Sequence, residues 1–196
     1  MTSRVPENLR FLLVVDLEAT CWNDRPQSTS TMEVIEVGGV LVDIALAFKP
    51  LAEFEQLVRP INEPFLSNFC TELTTITQEE VDRAPTLDTA SSSIDQWASG
   101  YQIDCWGSWG QYDFNQFTAE AARHRRVPAF TTCLHINLKQ LYQQSRGVRR
   151  KSGLGNSLRR HGLEFEGQQH RALADARNIV RLLPQCNFQL ATFTQC

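Results

Sequence analysis

"FLLVVDLEATCW", residues 11–22, decides how this chain is read. Five apolar residues run into Asp16, and Glu18 follows two positions later. A short continuous apolar run of this kind reads as a buried strand. Residues two apart on a strand project from the same face, so Asp16 and Glu18 stand side by side at its end. Two like charges that close raise each other's pKa unless something positive sits between them. Ala19 and Thr20 come directly after, and both are small.

The rest of the chain sets the frame. Its 196 residues, 42% of them hydrophobic, predict one domain over 1–196, with a core at about 11–184 and short tails. No apolar run approaches the roughly 18 residues of a membrane span. The opening "MTSRVPENLR" has no apolar region of a secretory signal. The six cysteines are widely spaced without a CxxC pair, which predicts free or buried thiols rather than disulfides or a zinc site. The expectation is a cytoplasmic protein with no membrane partner. A net charge of −3 argues against a general polyanion binder. Two basic clusters, "RHRR" (123–126) and "RGVRRK" (146–151), read as solvated faces or as phosphate sites.

Working outward from the first strand, "EVIEVGGVLVD" (33–43) and "EFEQLVRP" (53–60) read as two more strands, the last ended by Pro60. Short links predict an antiparallel meander. Helices follow over "PFLSNFCTEL" (64–73), "TQEEVDRA" (77–84, with Thr77 as N-cap) and 86–99. "YQIDCWGSW" (101–109) is a lone strand ending at glycines. Further helices are predicted over 113–125, 135–145, 153–162 and 170–184. Gly162 and Pro184 act as the stops of the last two. Strands first and helices later give an α/β or α+β domain around a mixed sheet.

Three further residues stand out. Asp113 follows a strand and a glycine pair at the start of a helix. "HRALAD" carries His170 and Asp175 five apart, which puts the histidine just before the last helix and the aspartate within it. Each acid alone is compatible with an ordinary surface or capping role. Together, four carboxylates converging would repel, and they make sense as a cage for two hard divalent cations, Mg²⁺ or Mn²⁺. Such a pair clamps an in-line phosphoryl displacement, and a nearby histidine takes the water proton at neutral pH.

The order and context of these motifs resemble the DEDDh 3′–5′ exonucleases, in particular the branch of the 3′ histone-mRNA exonuclease and its bacterial relatives. "DLEATC" resembles the first motif, "WGQYD" the second and "HRALAD" the third, H-x-A-x-x-D. The likeness runs from about residue 11 to 184. It implies a ribonuclease-H-like mixed sheet of five strands, three antiparallel and then two more, with helices on both faces. It implies release of nucleoside 5′-monophosphates from a 3′ end. It also implies that Asp16 bridges both metals, that Glu18 and Asp175 hold the water-activating ion, that Asp113 holds or orients the second, and that His170 is the general base.

For the substrate, small Ala19 and Thr20 are expected to let backbone N–H groups approach the terminal sugar. By resemblance, Phe69 and Leu73 pack against the terminal base, with Tyr112 near its sugar or other face. Their spacing on a helix fits core packing equally well. Two departures stand out: Tyr112 stands where relatives often have Trp, and Thr75 where a Gly is common. The expected partner is the 3′ end of single-stranded nucleic acid, RNA favoured over DNA. A DNA proofreading enzyme beside a polymerase and a non-catalytic end-binding module are the alternatives, the latter disfavoured because all four acids and the histidine are present.

Overall fold

The computed structural model describes residues 9–123, 125–148 and 152–194. His124, the Arg149–Lys151 end of the second basic cluster and the extreme termini lie outside the described residues. Six strands form one sheet: β1 (Phe11–Ala19), β2 (Val34–Asp43), β3 (Lys49–Leu57), β4 (Cys105–Ser108), β5 (Leu134–Asn137) and β6 (Phe193–Thr194). Their spatial order is β3-β2-β1-β4-β5-β6. The first three pair antiparallel as expected, β4 and β5 run parallel to β1, and β6 returns antiparallel to β5.

The alternation of side chains divides the core. Leu12, Val14, Val40 and Val42 face α5 (Leu138–Arg146) and α7 (Ala172–Leu182). Leu13, Val15, Val37 and Leu41 face α3 (Leu87–Ala98) and α4 (Tyr112–Ala122). The result is an α/β sandwich of one mixed sheet between two helical layers. Three short helices complete it, α1 (Asn68–Thr74), α2 (Gln78–Arg83) and α6 (Leu154–Arg159). Thr77 caps α2 as expected, in a reciprocal capping box with Glu80. Among the described residues no helix is long and apolar enough to cross a membrane.

Several elements differ from the sequence-based expectation, each for a local reason. β3 starts at Lys49 rather than at 53 and carries Pro50, which an edge strand tolerates. The stretch 135–145 is not one helix. Its first three residues belong to β5, and Asn137 caps α5 by accepting the Gln140 N–H at 2.9 Å. Residues 185–194, expected as a tail, bury Ala191 and Phe193 and supply β6, the sixth strand. Of the described arginines of "RHRR", Arg126 is on the solvated face, whereas Arg123 and Arg125 are turned into the fold. Arg125 is buried against Glu33 at 2.6 Å and Glu120 at 3.2 Å. Arg123 bonds the carbonyls of Thr29, Ser30 and Met32, and Arg126 pairs with Asp95 at 2.7 Å. The same Glu33 carboxylate accepts the N–H groups of Ile61, Asn62 and Glu63, which fixes the loop leading into α1.

Thr75 ends α1 with φ of 62°, in the left-handed region that favours glycine. Thr75→Gly is expected to raise the unfolding free energy by about 0.5–1 kcal/mol, read as a higher urea midpoint at unchanged slope. A lower midpoint would mean that the threonine side chain contributes more than its backbone strain costs.

Candidate active site

The site is assembled where β1, β2 and the starts of α4 and α7 meet. Asp16 and Glu18 lie opposite Gly38 and Glu36 of β2, on one face of the sheet. Asp113, in the first turn of α4, accepts the Leu17 N–H at 3.0 Å, so α4 is fastened to the strand that carries the other two acids. Asp175 lies in the first turns of α7 and accepts the backbone N–H of His170 at 2.8 Å. That bond holds His170 in a left-handed turn, φ 60°, just before the helix. Its half-exposed ring presents Nδ1 3.9 Å from Glu18 Oε1.

What sets the height of α7 is on β2. A side chain at Gly38 would lie 2.2 Å from the Leu173 nitrogen, so the first turn of α7 rests directly on bare backbone. Beside it, Glu36 is fully buried and accepts the Ala172 N–H at 2.7 Å, satisfying one of the helix's unpaired donors. It also holds Arg171 through Nη2 at 2.7 Å and Nε at 3.0 Å. Glu36, Gly38 and Arg171 are thus positioning residues for His170 and Asp175, and sequence reasoning passed over them. The signal was present: a carboxylate and a Gly pair inside an otherwise apolar strand.

One carboxylate oxygen from each of Asp16, Glu18 and Asp175 lies within 4.8 Å of the others. Asp113 lines the same cleft, of about 270 Å³, together with Tyr112, Trp109 and Leu154. Burial, then repulsion from Asp113, Asp175 and Glu18, pushes Asp16 well above the carboxylate range. Burial and the neighbouring acids, Asp175 first, raise Glu18 to about 9. Burial raises Asp113 to about 6, with its own backbone N–H, the Ser108 hydroxyl and the Leu17 N–H pulling it down. Burial likewise raises Asp175 to about 6, against the backbone N–H groups of His170 and Arg171. Burial lowers His170, which keeps its ring neutral near pH 7. A set of hard oxygen donors that destabilise one another's charge fits divalent cations of the Mg²⁺ or Mn²⁺ kind.

The expected substrate contacts are distributed unevenly. Tyr112 lines the acid cleft. Trp109 and Leu154, not anticipated, line it too. Thr20 is buried and its polar groups are committed within the fold: its N–H to the Glu33 carbonyl at 2.8 Å, its hydroxyl to the Glu33 N–H at 2.9 Å. The N–H that was expected to approach a sugar is therefore occupied. Ala19 is buried in an apolar cluster with Cys21 and Cys70, and half-buried Phe69 and Leu73 of α1 pack against it. They pack around Ala19, next to Glu18 in the chain, and are not among the residues lining the cleft of the acids.

A family model described as "Exonuclease" (RNase_T) matches residues 13–183. The chain belongs to this exonuclease family. That agrees with the resemblance to the DEDDh exonucleases read from its motifs, and membership implies divalent metal ions at the acids. ERI1 exoribonuclease 2 of Danio rerio is 31% identical over 196 residues, covering 90% of this chain and 35% of that protein. The chain thus spans about a third of that relative. The 3′-5′ exonuclease Snipper of Drosophila melanogaster is 31% identical over 193 residues, 88% of this chain and 68% of that protein. Among solved structures, the nuclease domain of 3′hExo, a DEDDh family member, bound to rAMP, superposes with a TM-score of 0.81 at 26% identity. That match covers 92% of this chain and 93% of the other. The sheet and flanking helices of this chain are accordingly ribonuclease-H-like.

Each site carboxyl binds its proton more tightly in the folded than in the unfolded chain. The metal-free protein therefore loses stability as pH rises from the ordinary carboxylate range through about 6 and on towards 9. Asp16→Asn removes one repelling charge. The variant is expected to be more stable than the parent by about 1–3 kcal/mol at pH 8 without metal, with the gap closing towards pH 4. Thermal unfolding across pH checks this; a variant less stable at pH 8 would contradict it.

Proposed function

We propose that this chain is a metal-dependent 3′–5′ exonuclease, one domain whose core takes in Ala191 and Phe193, that releases nucleoside 5′-monophosphates from the 3′ end of single-stranded RNA, with DNA the poorer substrate. The observation that carries the reading is the convergence of Asp16, Glu18 and Asp175 oxygens within 4.8 Å, with His170 beside Glu18. The family match and the relatives' names, exoribonuclease among them, support the chemistry and the preference for RNA. Five free thiols among the described residues suit a reducing compartment, the cytoplasm.

Two divalent cations, Mg²⁺ or Mn²⁺, held by Asp16, Glu18 and Asp175 with Asp113 orienting the second, supply the charge neutralisation and Lewis acidity that phosphodiester hydrolysis needs. The chain's own residues do the rest. His170 turns Nδ1 towards Glu18, which leaves Nε2 to accept the proton of the attacking water. Burial keeps that ring unprotonated and ready as a base. Asp175 holds the histidine's backbone in place, and Asp113 fixes the start of α4 and so the position of Tyr112. Tyr112 meets the terminal nucleotide in the cleft, and Phe69 and Leu73 offer an apolar wall that accepts any base. Ala19 leaves that wall shallow.

The test is digestion of matched RNA and DNA oligomers with Mg²⁺ or Mn²⁺, with chelator, and with Asp16→Ala. Stepwise shortening of RNA from the 3′ end, lost in both controls, is expected. Undiminished cleavage in either control would end the metal reading. Faster cleavage of DNA, rising with a terminal mismatch, would favour proofreading instead. His170→Ala is expected to lose about 10²–10⁴ in kcat near neutral pH while Mn²⁺ affinity stays within a few-fold. An unchanged pH–rate profile would remove His170 as the base.

A further inference from the structure

A second cleft, of about 300 Å³, opens beside the acids. It shares Leu154, His170 and Asp175 with the acid cleft, so the two are continuous. Its lining also includes Arg159, Gln169 and Gly155. Gly155 contributes bare backbone: the position its Cβ would take lies 3.5 Å from Gln169 Nε2 and 3.6 Å from Arg159 Nη1. A guanidinium and an amide donor therefore converge over the same spot.

Arg159 differs from the arginines of α7 and its N-cap in its pairing. Arg171, Arg177 and Arg181 are each paired with a carboxylate, Glu36, Glu53 and Glu166 in turn. Arg159 has no carboxylate within ion-pair range among the described residues. Its side chain is exposed and bonds the Asn156 amide oxygen at 2.5 Å. An arginine without an acidic partner, aimed with a second donor into a cleft that leads to a phosphodiester-cleaving site, is suited to an anionic oxygen.

The direction of the substrate follows from the proposed function, which sets the terminal nucleotide on the α1 side of the acids. On that side Ala19, Cys21, Trp22 and Cys70 are buried in an apolar cluster, with partly buried Phe69 and Leu73 packed against it. A 3′-terminal nucleotide on that side leaves the remainder of the strand to run through the second cleft, past His170. We propose that the cleft beside His170 is the subsite for the backbone phosphate immediately 5′ of the scissile linkage, held by Arg159 with Gln169. The proposal rests on the exonuclease reading and extends it. Such a contact fixes strand position without reading sequence.

The experiment measures binding of fluorescent deca-adenylate RNA in Ca²⁺, by anisotropy, with and without one uncharged methylphosphonate at that upstream linkage. The parent protein is expected to bind the all-phosphate strand about fivefold to tenfold more tightly than the modified one. Arg159→Gln is expected to bind the all-phosphate strand more weakly by the same factor and to lose the discrimination. Its plot of log affinity against log salt should be shallower by about 0.7. Arg159→Lys should recover part of both. If Arg159→Gln discriminates as the parent does, or if the parent binds both strands equally, the subsite is overturned. If the parent binds the strand but never shortens it in Mn²⁺, the exonuclease reading fails while the discrimination still decides the subsite. If the parent does not bind the strand at all, both fall.

Discussion

The distance between α7 and β2 governs the whole site. Gly38 presents bare backbone to the Ala172–Leu173 peptide, and Glu36 draws the helix start down onto the sheet through the Ala172 N–H and Arg171. Asp16 and Glu18 are fixed by the pairing of β1, whose register aligns them with Gly38 and Glu36. The last acid and the histidine arrive only because the helix sits that low. A methyl group at position 38 would displace a rigid element carrying two functional groups, which makes one glycine a condition for the geometry rather than a detail of packing.

The arrangement opposes stability and function. An apolar strand that ended in leucine or valine at 16 and 18 would bury more favourable surface and repel nothing. Instead the fold concentrates carboxylates whose pKa values all move up, and it tolerates His170 in a left-handed conformation. These costs are offset by a core that covers both faces of the sheet and by hydrogen bonds that tie Asp113 to the Leu17 N–H, Asp175 to the His170 N–H and the supporting Glu36 to the Ala172 N–H. The acids are held rigidly because most of their bonding partners belong to secondary structure, and a preorganised donor set is what a metal-assisted displacement requires.

Much of this was legible in the sequence because it depends on short-range periodicity. The apolar run into Asp16-x-Glu18 placed β1, and period two placed both acids on one face. The spacing of His170 and Asp175 put one before α7 and the other in it. The elements that escaped are short or set by distant partners. Ile136 and Leu138 fit a strand or a helix equally, and only the pairing of β5 with β4 decides between them. β6 is two residues long and exists because Phe193 finds a buried place beside Ile136. Arg123 and Arg125 looked like surface because Glu33 and the carbonyls of Thr29, Ser30 and Met32 approach them only through tertiary folding. Glu36 was visible as a buried carboxylate, but its role became clear only with α7 lying above it.

The central claim is that the converging carboxylates are a cation site first and an acidic surface second. Anomalous diffraction from crystals soaked in Mn²⁺ with adenosine 5′-monophosphate tests it most directly. The account predicts manganese peaks in contact with Asp16, Glu18 and Asp175, and their loss in Asp16→Ala. Crystals that show no peak among these three residues at millimolar Mn²⁺, while the carboxylates keep their positions, would contradict it.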